Sequence, residues 1–462
     1  MEPSTVAELA SLASGTLFGS GSGVVTAVST DTRSIQSGQL FVAIRGDRFD
    51  AHDFLATAHE QGAAAALVEK VNSAVSDLPQ IQVPDSLTGL QTLARNYRRK
   101  FQIPIVGITG SNGKTSTKEM VAAVLGERFC VTKTVGNLNN HIGVPLSVLR
   151  FEREHQVAVL EYGMNHPGEI AGLISIASPQ HAIVTNVGVA HIEFLGTREG
   201  IAREKSILAE SVPGEGTVVL NADDDFADWI AGRCRAQVVM AGFSQGQIRA
   251  VDIKHGSDGE EFTVIAPKEE LRVRLPVPGE HMVHNALQAI GIGLAFGLSL
   301  SECAIGLAKT ALPSGRLQVK AVGGISIVND AYNANPDSMI AALRTVANLP
   351  ANGRRVAALG EMGELGQESL VGHERVGKAV ADHGFDVLIA VGERAYPIAR
   401  SAVAAGLRES RTVKSNAEAA DVLNTILEPG DLLLLKGSRS AGIDQIIPLL
   451  EAARGSGKGN AT

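Results

Sequence analysis

Apolar runs of strand length alternate with segments of helical period along most of this chain. Between Ile103 and about Gly315 the runs are Ile103–Ile108, Val157–Leu160, Ala182–Thr185 and Val218–Leu220. After the first of them, Met120, Val121, Val124 and Leu125 fall at the i, i+1, i+4, i+5 spacing of one helical face. Such alternation predicts a parallel sheet with helices on both faces. One segment departs from it: Leu271, Val273 and Leu275 alternate with Arg272 and Arg274, which predicts a half-buried antiparallel strand. Pro313-Ser314-Gly315 reads as a hinge. Beyond it the runs Ile325–Val328, Val356–Leu359, Val387–Val391 and Leu432–Leu435 predict a further parallel sheet. Residues 1 to about 100 hold two strand-like runs, Leu40–Ile44 and Ala64–Val68, with a helical pattern between them, as in a small α/β domain. The expected fold class is therefore α/β, with domains over 1–100, 101–315 and 316–455. Residues 456–462, made of Gly, Lys, Asn, Ala, Ser and Thr, are expected to form a disordered tail.

Composition narrows what such a chain does. Its 462 residues, 44% hydrophobic, give room for several cores. Aromatics make up 4%, and Trp229 is the only tryptophan, so stacking on bases is not expected as a main activity. The net charge is −8, and the densest basic cluster, Arg98-Arg99-Lys100, reads as a solvated helix end. Nucleic-acid binding is disfavoured. Cys130, Cys234 and Cys303 are far apart and show neither a disulfide framework nor a zinc spacing. Met1-Glu2-Pro3-Ser4 opens no signal sequence, and no window is apolar enough to span a bilayer. A reducing cytoplasm is the expected home.

The chemistry begins at Thr109-Gly110-Ser111-Asn112-Gly113-Lys114-Thr115. Strand, glycine loop and helix follow in the order that a phosphate-binding loop requires. Its glycines let backbone N–H groups close on an anion, and the helix N-terminus adds a favourable dipole. Lys114 would reach the terminal phosphates, and the Thr115 hydroxyl would bind Mg²⁺. The commonest spacing has glycine where this chain has Ile108. Glu161 ends a second apolar run, at the carboxyl edge of the expected sheet, where ligands bind and where an acid can hold Mg²⁺. His191 follows a third run and falls near the same edge. Lys205 shares a helical face with Ile201 and Leu208. Two readings of it stay open: an ammonium that snorkels to water, or a lysine of lowered pKa that reacts with CO₂ to give an acidic carbamate.

Taken together these residues resemble the Mur ligases, ATP-dependent amide-forming ligases of peptidoglycan synthesis, over nearly the whole chain. The loop through Thr115 is similar to the family's phosphate loop, unusual spacing included. Glu161-Tyr162-Gly163 with Gly168-Glu169-Ile170 resembles its metal-binding glutamate motif. His191 and Lys205 match its second metal ligand and its often carbamylated lysine. Gly279-Glu280-His281 with Asn285-Ala286-Leu287 resembles its adenine-contacting segment, although Met282 stands where the family often has Asn. Arg316 matches the arginine at the hinge. Asp330-Ala331-Tyr332-Asn333-Ala334-Asn335-Pro336 and Gly136-Asn137-Leu138-Asn139-Asn140-His141 resemble the branch that adds the dipeptide D-alanyl-D-alanine, as does Gly360-Glu361-Met362 with Glu364-Leu365-Gly366, apart from Glu361 in place of the usual Asp. Asp31-Thr32-Arg33 and Arg48-Phe49-Asp50 resemble the uridine-nucleotide domain.

The resemblance implies a P-loop ATPase domain between a small N-terminal α/β domain and a C-terminal Rossmann-like domain. It implies catalytic roles for Lys114, His191, Lys205 and Arg316, and metal binding by Thr115, Glu161, His191 and Lys205. Nucleotide contacts would come from Gly110, Ser111, Asn112, Gly113, Lys114, Thr115, Ser116, Asn285, Arg316, Asp330, Tyr332 and Asn333. Substrate contacts would come from Thr32, Arg33, Arg48, Phe49, Asn139, Asn140 and Asn335. The implied ligands are ATP, Mg²⁺, UDP-N-acetylmuramoyl-tripeptide and D-alanyl-D-alanine, with a monomer expected. Two rivals stand beside this reading. One is a sister ligase that adds a single amino acid, or glutamate to a folate; Tyr332 to Pro336 speak against it. The other is a nucleotide-gated scaffold without turnover, against which stand Glu161, His191 and Lys205.

Overall fold

The computed structural model describes residues 1–46, 49–256 and 258–455. Arg48 and the tail 456–462 lie outside the described residues. Three sheets follow one another along the chain, preceded by a short pairing of Ser4–Thr5 with Val24–Val25. The first, five-stranded sheet runs in space Thr16–Phe18, Gln80–Gln82, Ala65–Val68, Gln39–Val42, Ala27–Ser29, parallel except for its first pair. Only two of these strands stand out in the sequence. Gln80–Gln82 escapes because its buried Gln80 is polar; that amide is satisfied locally by Asn72 and Val75.

The second sheet has nine strands, in the order Glu270–Leu275, Gly259–Ile265, Ile248–Gly256, Gln237–Gly242, Thr217–Asn221, His181–Val184, Ile105–Thr109, Val157–Glu161, Val131–Lys133. Its strands pair in parallel from Val131–Lys133 to Ile248–Gly256. The last three form an antiparallel flap, which includes the alternating segment ending at Leu275. Ile105–Thr109 and Val157–Glu161 are buried on both faces, so they read as unbroken apolar runs. Chain order reverses around Ile105–Thr109: the next two strands lie on one side of it and the later ones on the other. That switch point opens a crevice at the carboxyl edge, into which the glycine loop projects.

The third, six-stranded sheet runs Gln318–Val322, Ile325–Asn329, Leu432–Lys436, Arg355–Gly360, Val387–Val391, Glu409–Val413, parallel except for its first pair. Its two outer strands carry Lys320, Glu409 and Arg411, the charges that blunt a sheet edge, and so give no apolar signal. One apolar cluster runs from Val106 and Val283 through Met339 and Leu343 to Leu434. It ties the second sheet's layer to the third's. Among the described residues no helix is long and apolar enough to cross a membrane.

Candidate active site

The glycine loop is shaped by close approach. Gly110 has φ +150, and a Cβ there would lie 1.7 Å from Thr185 Oγ1. Gly113 has φ +82 and opens the helix Lys114–Leu125. A Cβ on it would meet Asn285 Oδ1 at 2.7 Å. Only glycine fits these positions. The neighbouring loop holds the backbone from the other side: Ser111 N donates to Asn186 O (3.0 Å) and Asn112 N to Asn186 Oδ1 (2.9 Å). Ser116 is buried in the first helical turn. Lys114 Nζ donates to Gly110 O at 2.6 Å. Burial holds its pKa below the usual lysine value, opposed by Glu161 and reinforced by Arg316. Asn285 donates to the Met282 sulfur (3.5 Å), so the residue that departs from the family pattern supports its neighbour.

Glu161 ends its strand fully buried. Its Oε2 accepts from Thr115 Oγ1 (3.2 Å) and Asn139 Nδ2 (3.3 Å). Its Oε1 has no hydrogen bond and faces Lys118 Nζ at 3.4 Å. Lys118 is itself buried, donates to Thr134 O (2.7 Å) and pairs with Glu119 (3.0 Å). A buried carboxylate requires such a cation, since an uncompensated charge there costs several kcal/mol.

His191 follows the strand His181–Val184 across a loop and sits in the left-handed region, φ +65. Burial, first, and then the Lys114 and Lys205 charges push its pKa down, against the pull of Glu364. Snorkelling of Lys205 is overturned: the residue is 1% exposed, and its side-chain nitrogen stays inside with its stem. The helix Arg198–Glu210 turns that face toward the core. Burial, then Lys114, hold the Lys205 pKa well below the usual value, with Glu204 opposing. Glu204 is engaged elsewhere, accepting from Gly168 N and Ile170 N.

The third unit closes the crevice. Arg316 Nη2 donates to Thr115 Oγ1 (2.9 Å), and its guanidinium lies 4.2 Å from the centre of the Tyr332 ring. Asp330 accepts from Leu317 N (3.1 Å) and from Lys436 Nζ (2.5 Å), which also donates to Asn333 O (3.0 Å). Asn335 caps the helix Pro336–Asn348 and donates to Asn112 Oδ1 (2.7 Å). In the second unit, Asn140 Oδ1 accepts from Gly143 N (2.9 Å), ahead of the helix Gly143–Val148. The cleft between the two units, open to solvent, holds about 1000 Å³.

The nucleotide-loop residues from Ser111 to Ser116, Glu161, His191, Asn139, Asn140, Asn285 and the Arg316–Asn335 set all line this cavity. Gly110 and the buried Lys205 lie behind its wall rather than on it, and Thr32, Arg33 and Phe49 are remote from it. They sit at the carboxyl edge of the first sheet, in the loops after Ala27–Ser29 and Gln39–Val42. Phe49 is 73% exposed there, and Arg33 pairs with Asp31 (2.6 Å). Sequence reasoning does not single out Lys118, Asp337, Arg375, Lys436 or Arg439, and it names Glu364 only within the Glu364-Leu365-Gly366 motif, without a role of its own. Lys436 to Ser440 follow the apolar run Leu432–Leu435, so the carboxyl-edge rule that selects Glu161 could have selected them too. Asp337 carries no local signal, and the motif that holds Glu364 does not tell that it faces His191.

Three family models match in chain order: "Mur ligase family, catalytic domain" over residues 24–98, "Mur ligase middle domain" over 108–293 and "Mur ligase, glutamate ligase domain" over 315–439. The chain is 37% identical to the UDP-N-acetylmuramoyl-tripeptide--D-alanyl-D-alanine ligase of Escherichia coli, over 97% of this chain and 98% of that one. It is 36% identical to the enzyme of that name from Bacillus subtilis, over 92% and 93%. Among solved structures it resembles MurF from Acinetobacter baumannii, at 32% identity and a TM-score of 0.89, covering 98% of this chain and 99% of that one. MurF from Thermotoga maritima in complex with ADP aligns at 28% identity and a TM-score of 0.82, over 94% and 98%. With three family models laid over its three sheets and relatives matched almost from end to end, the chain belongs to the Mur ligase family.

Proposed function

We propose that this chain joins D-alanyl-D-alanine to UDP-N-acetylmuramoyl-tripeptide at the expense of ATP, giving the UDP-pentapeptide, ADP and phosphate. The observation that carries the reading is one cavity in which the glycine loop, the buried Glu161–Thr115 pair and Arg316 from the third unit face each other. The relatives' names supply the substrates, and the ADP complex of one solved relative supports ATP use.

In this reading Lys114 and the loop N–H groups take the β- and γ-phosphates, and Arg316 swings from the Thr115 hydroxyl to the transferring phosphoryl group. A tripeptide carboxylate oxygen attacks the γ-phosphorus, the bond to ADP breaks, and an acyl phosphate forms. The dipeptide amine then attacks the acyl carbon, loses a proton, and phosphate leaves. Positive groups offset the repulsion between a carboxylate and a triphosphate and stabilise the spreading charge. Asp330 suits the ribose, and Tyr332, Asn333 and Asn285 the nucleotide face. Asn139, Asn140 and Asn335 would meet the peptide substrates, and Thr32, Arg33, Arg48 and Phe49 the uridine end. The domains 1–100, 101–315 and 316–455 would thus hold UDP, ATP and dipeptide in turn.

Mg²⁺ fits the residues present. Glu161 Oε1 is buried without a hydrogen bond, and the Thr115 hydroxyl lies beside the same carboxylate. That is the oxygen donor set of a hard cation. Thr115 and Glu161 would hold one ion and His191 with Lys205 a second. When bound, Mg²⁺ neutralises phosphate charge. Lys205 fits the carbamate reading: burial lowers its pKa and so favours the neutral amine, whose lone pair attacks CO₂. The new N–C bond releases one proton and leaves an anion beside Lys114. We read the enzyme as a cytoplasmic monomer that binds no nucleic acid and enters no membrane.

The test is phosphate release with ATP, Mg²⁺ and the UDP-tripeptide carrying lysine or diaminopimelate, comparing D-alanyl-D-alanine with single amino acids, with mass spectrometry of the product. Turnover with the dipeptide alone is expected. Turnover with a single amino acid would move the chain to a sister ligase, and silence with every acceptor would defeat the catalytic reading.

A further inference from the structure

Two residues in unusual backbone conformations meet across the gap between the second and third sheets. His191 (φ +65) and Glu364 (φ +59) are two of five non-glycine residues with positive φ among the described residues. Such conformations are uncommon outside glycine and persist where the surroundings hold them. Here each supports the other. His191 Nδ1 lies 2.5 Å from Glu364 Oε2, at an ion-pair distance without the alignment of a hydrogen bond. The backbone joins in, with Glu193 N donating to Glu364 O at 3.4 Å. Gly366 follows with φ +50, and a Cβ there would lie 3.3 Å from Glu193 Cα.

The chemistry of this contact is directional. A carboxylate facing Nδ1 favours the tautomer with the proton on Nδ1, which leaves Nε2 with a free lone pair. Glu364 supplies that carboxylate. The loop that carries it follows the strand Arg355–Gly360, so it reaches His191 only when the third sheet is docked on the second.

We propose that Glu364 is a positioning residue that sets the His191 tautomer from the opposite side of the cleft, so that docking of the third unit completes the metal site. The inference rests on the reading of His191 as a metal ligand. It makes metal affinity depend on closure, since the ring nitrogen is presented correctly only in the docked arrangement.

The test compares wild type, Glu364→Gln and Glu364→Ala, each shown to be folded by its thermal transition. Long-range proton–nitrogen NMR on ¹⁵N-histidine-labelled protein reads the His191 ring, with its signals assigned by a His191→Asn variant. The Nδ1–H tautomer is expected in wild type and in Glu364→Gln, whose amide oxygen still faces Nδ1, and is expected to be lost in Glu364→Ala. In a second arm, Mn²⁺ uptake in the presence of ADP, followed by electron paramagnetic resonance, should weaken at least tenfold in Glu364→Ala and less in Glu364→Gln. Metal-free ADP binding should change less than twofold. Ring-nitrogen shifts unaltered by Glu364→Ala would overturn the proposal, as would equal losses of Mn²⁺ and metal-free ADP binding. A wild type that binds ADP but takes up no Mn²⁺ defeats the metal-site reading alone, and the ring-nitrogen arm then decides on Glu364.

Discussion

Replacing Lys118 by Met tests whether the buried charge beside Glu161 is structural. The substitution keeps an unbranched side chain of similar volume, so a cavity contribution is small and the change is mainly electrostatic. Lys118 has three partners: the Thr134 carbonyl, Glu119 and Glu161. Glu119 keeps Lys133 as a second cation, so its loss is partial. Glu161, buried and facing Lys118 with an oxygen that has no hydrogen bond, would be left as an unpaired charge. Breaking a buried pair from one side costs about 3–5 kcal/mol. An orphaned carbonyl alone would cost about 1–3 kcal/mol. The larger figure governs, and since about 1 kcal/mol moves the midpoint by about 2–4 °C in domains of this size, a fall of roughly 6–20 °C is expected. The assay is calorimetric unfolding without nucleotide, together with Glu161→Gln and the double variant. Neutralising Glu161 should restore more than half of the loss, because no buried charge then remains unpaired. A Lys118→Met variant within about 1 kcal/mol of wild type, or a double variant no more stable than Lys118→Met, would refute the reasoning.

Two further outcomes follow from titratable groups. Lys205, whose pKa burial lowers, should give a carbamate resonance in ¹³C NMR of protein equilibrated with labelled bicarbonate; Lys205→Ala should lack that signal and lose at least a hundredfold in ligation rate, and a spectrum without a lysine-dependent signal in wild type would rule the carbamate out. His281 is pushed down to about 4, chiefly by burial, with Lys436, His284 and Arg344 adding to the shift and Asp330 opposing it. Its unfolded value is about 6.5. The unfolded chain therefore binds the extra proton between these values, so stability is fully present above about pH 6.5 and falls as pH drops toward 4. From pH 7 to pH 5 that single group accounts for about 2 kcal/mol. Urea midpoints should fall over this range in wild type, and less steeply in His281→Gln; equal slopes would show that His281 does not carry the effect.

Much of the site is legible in the amino-acid sequence, because its signals are local. A glycine loop between an apolar run and a helical face needs only a few consecutive residues to be recognised. Glu161 and His191 follow from one rule, that ligands gather where parallel strands end, and the switch point at Ile105–Thr109 is where that rule applies. The buried strands are readable for the same reason, since burial on both faces writes an unbroken apolar run. Edge strands such as Gln318–Val322 and Glu409–Val413 carry charges and write none.

Tertiary structure decided the rest. The period of its helix places Lys205 on an apolar face, but only the packed core shows that its nitrogen stays there. Lys118 reads in sequence as an ordinary charged helix residue and becomes a counter-ion only when Thr134 and Glu161 arrive beside it. Arg316 meets Thr115 across 201 residues, and Asn335 meets Asn112 across 223. Periodicity reports which face of an element is buried, not which distant element buries it. The chain alone thus determined the elements and the chemistry at each strand end. Which of those ends face one another was settled by the apolar cluster shared between the second and third sheets, because contacts of that kind depend on how whole layers pack.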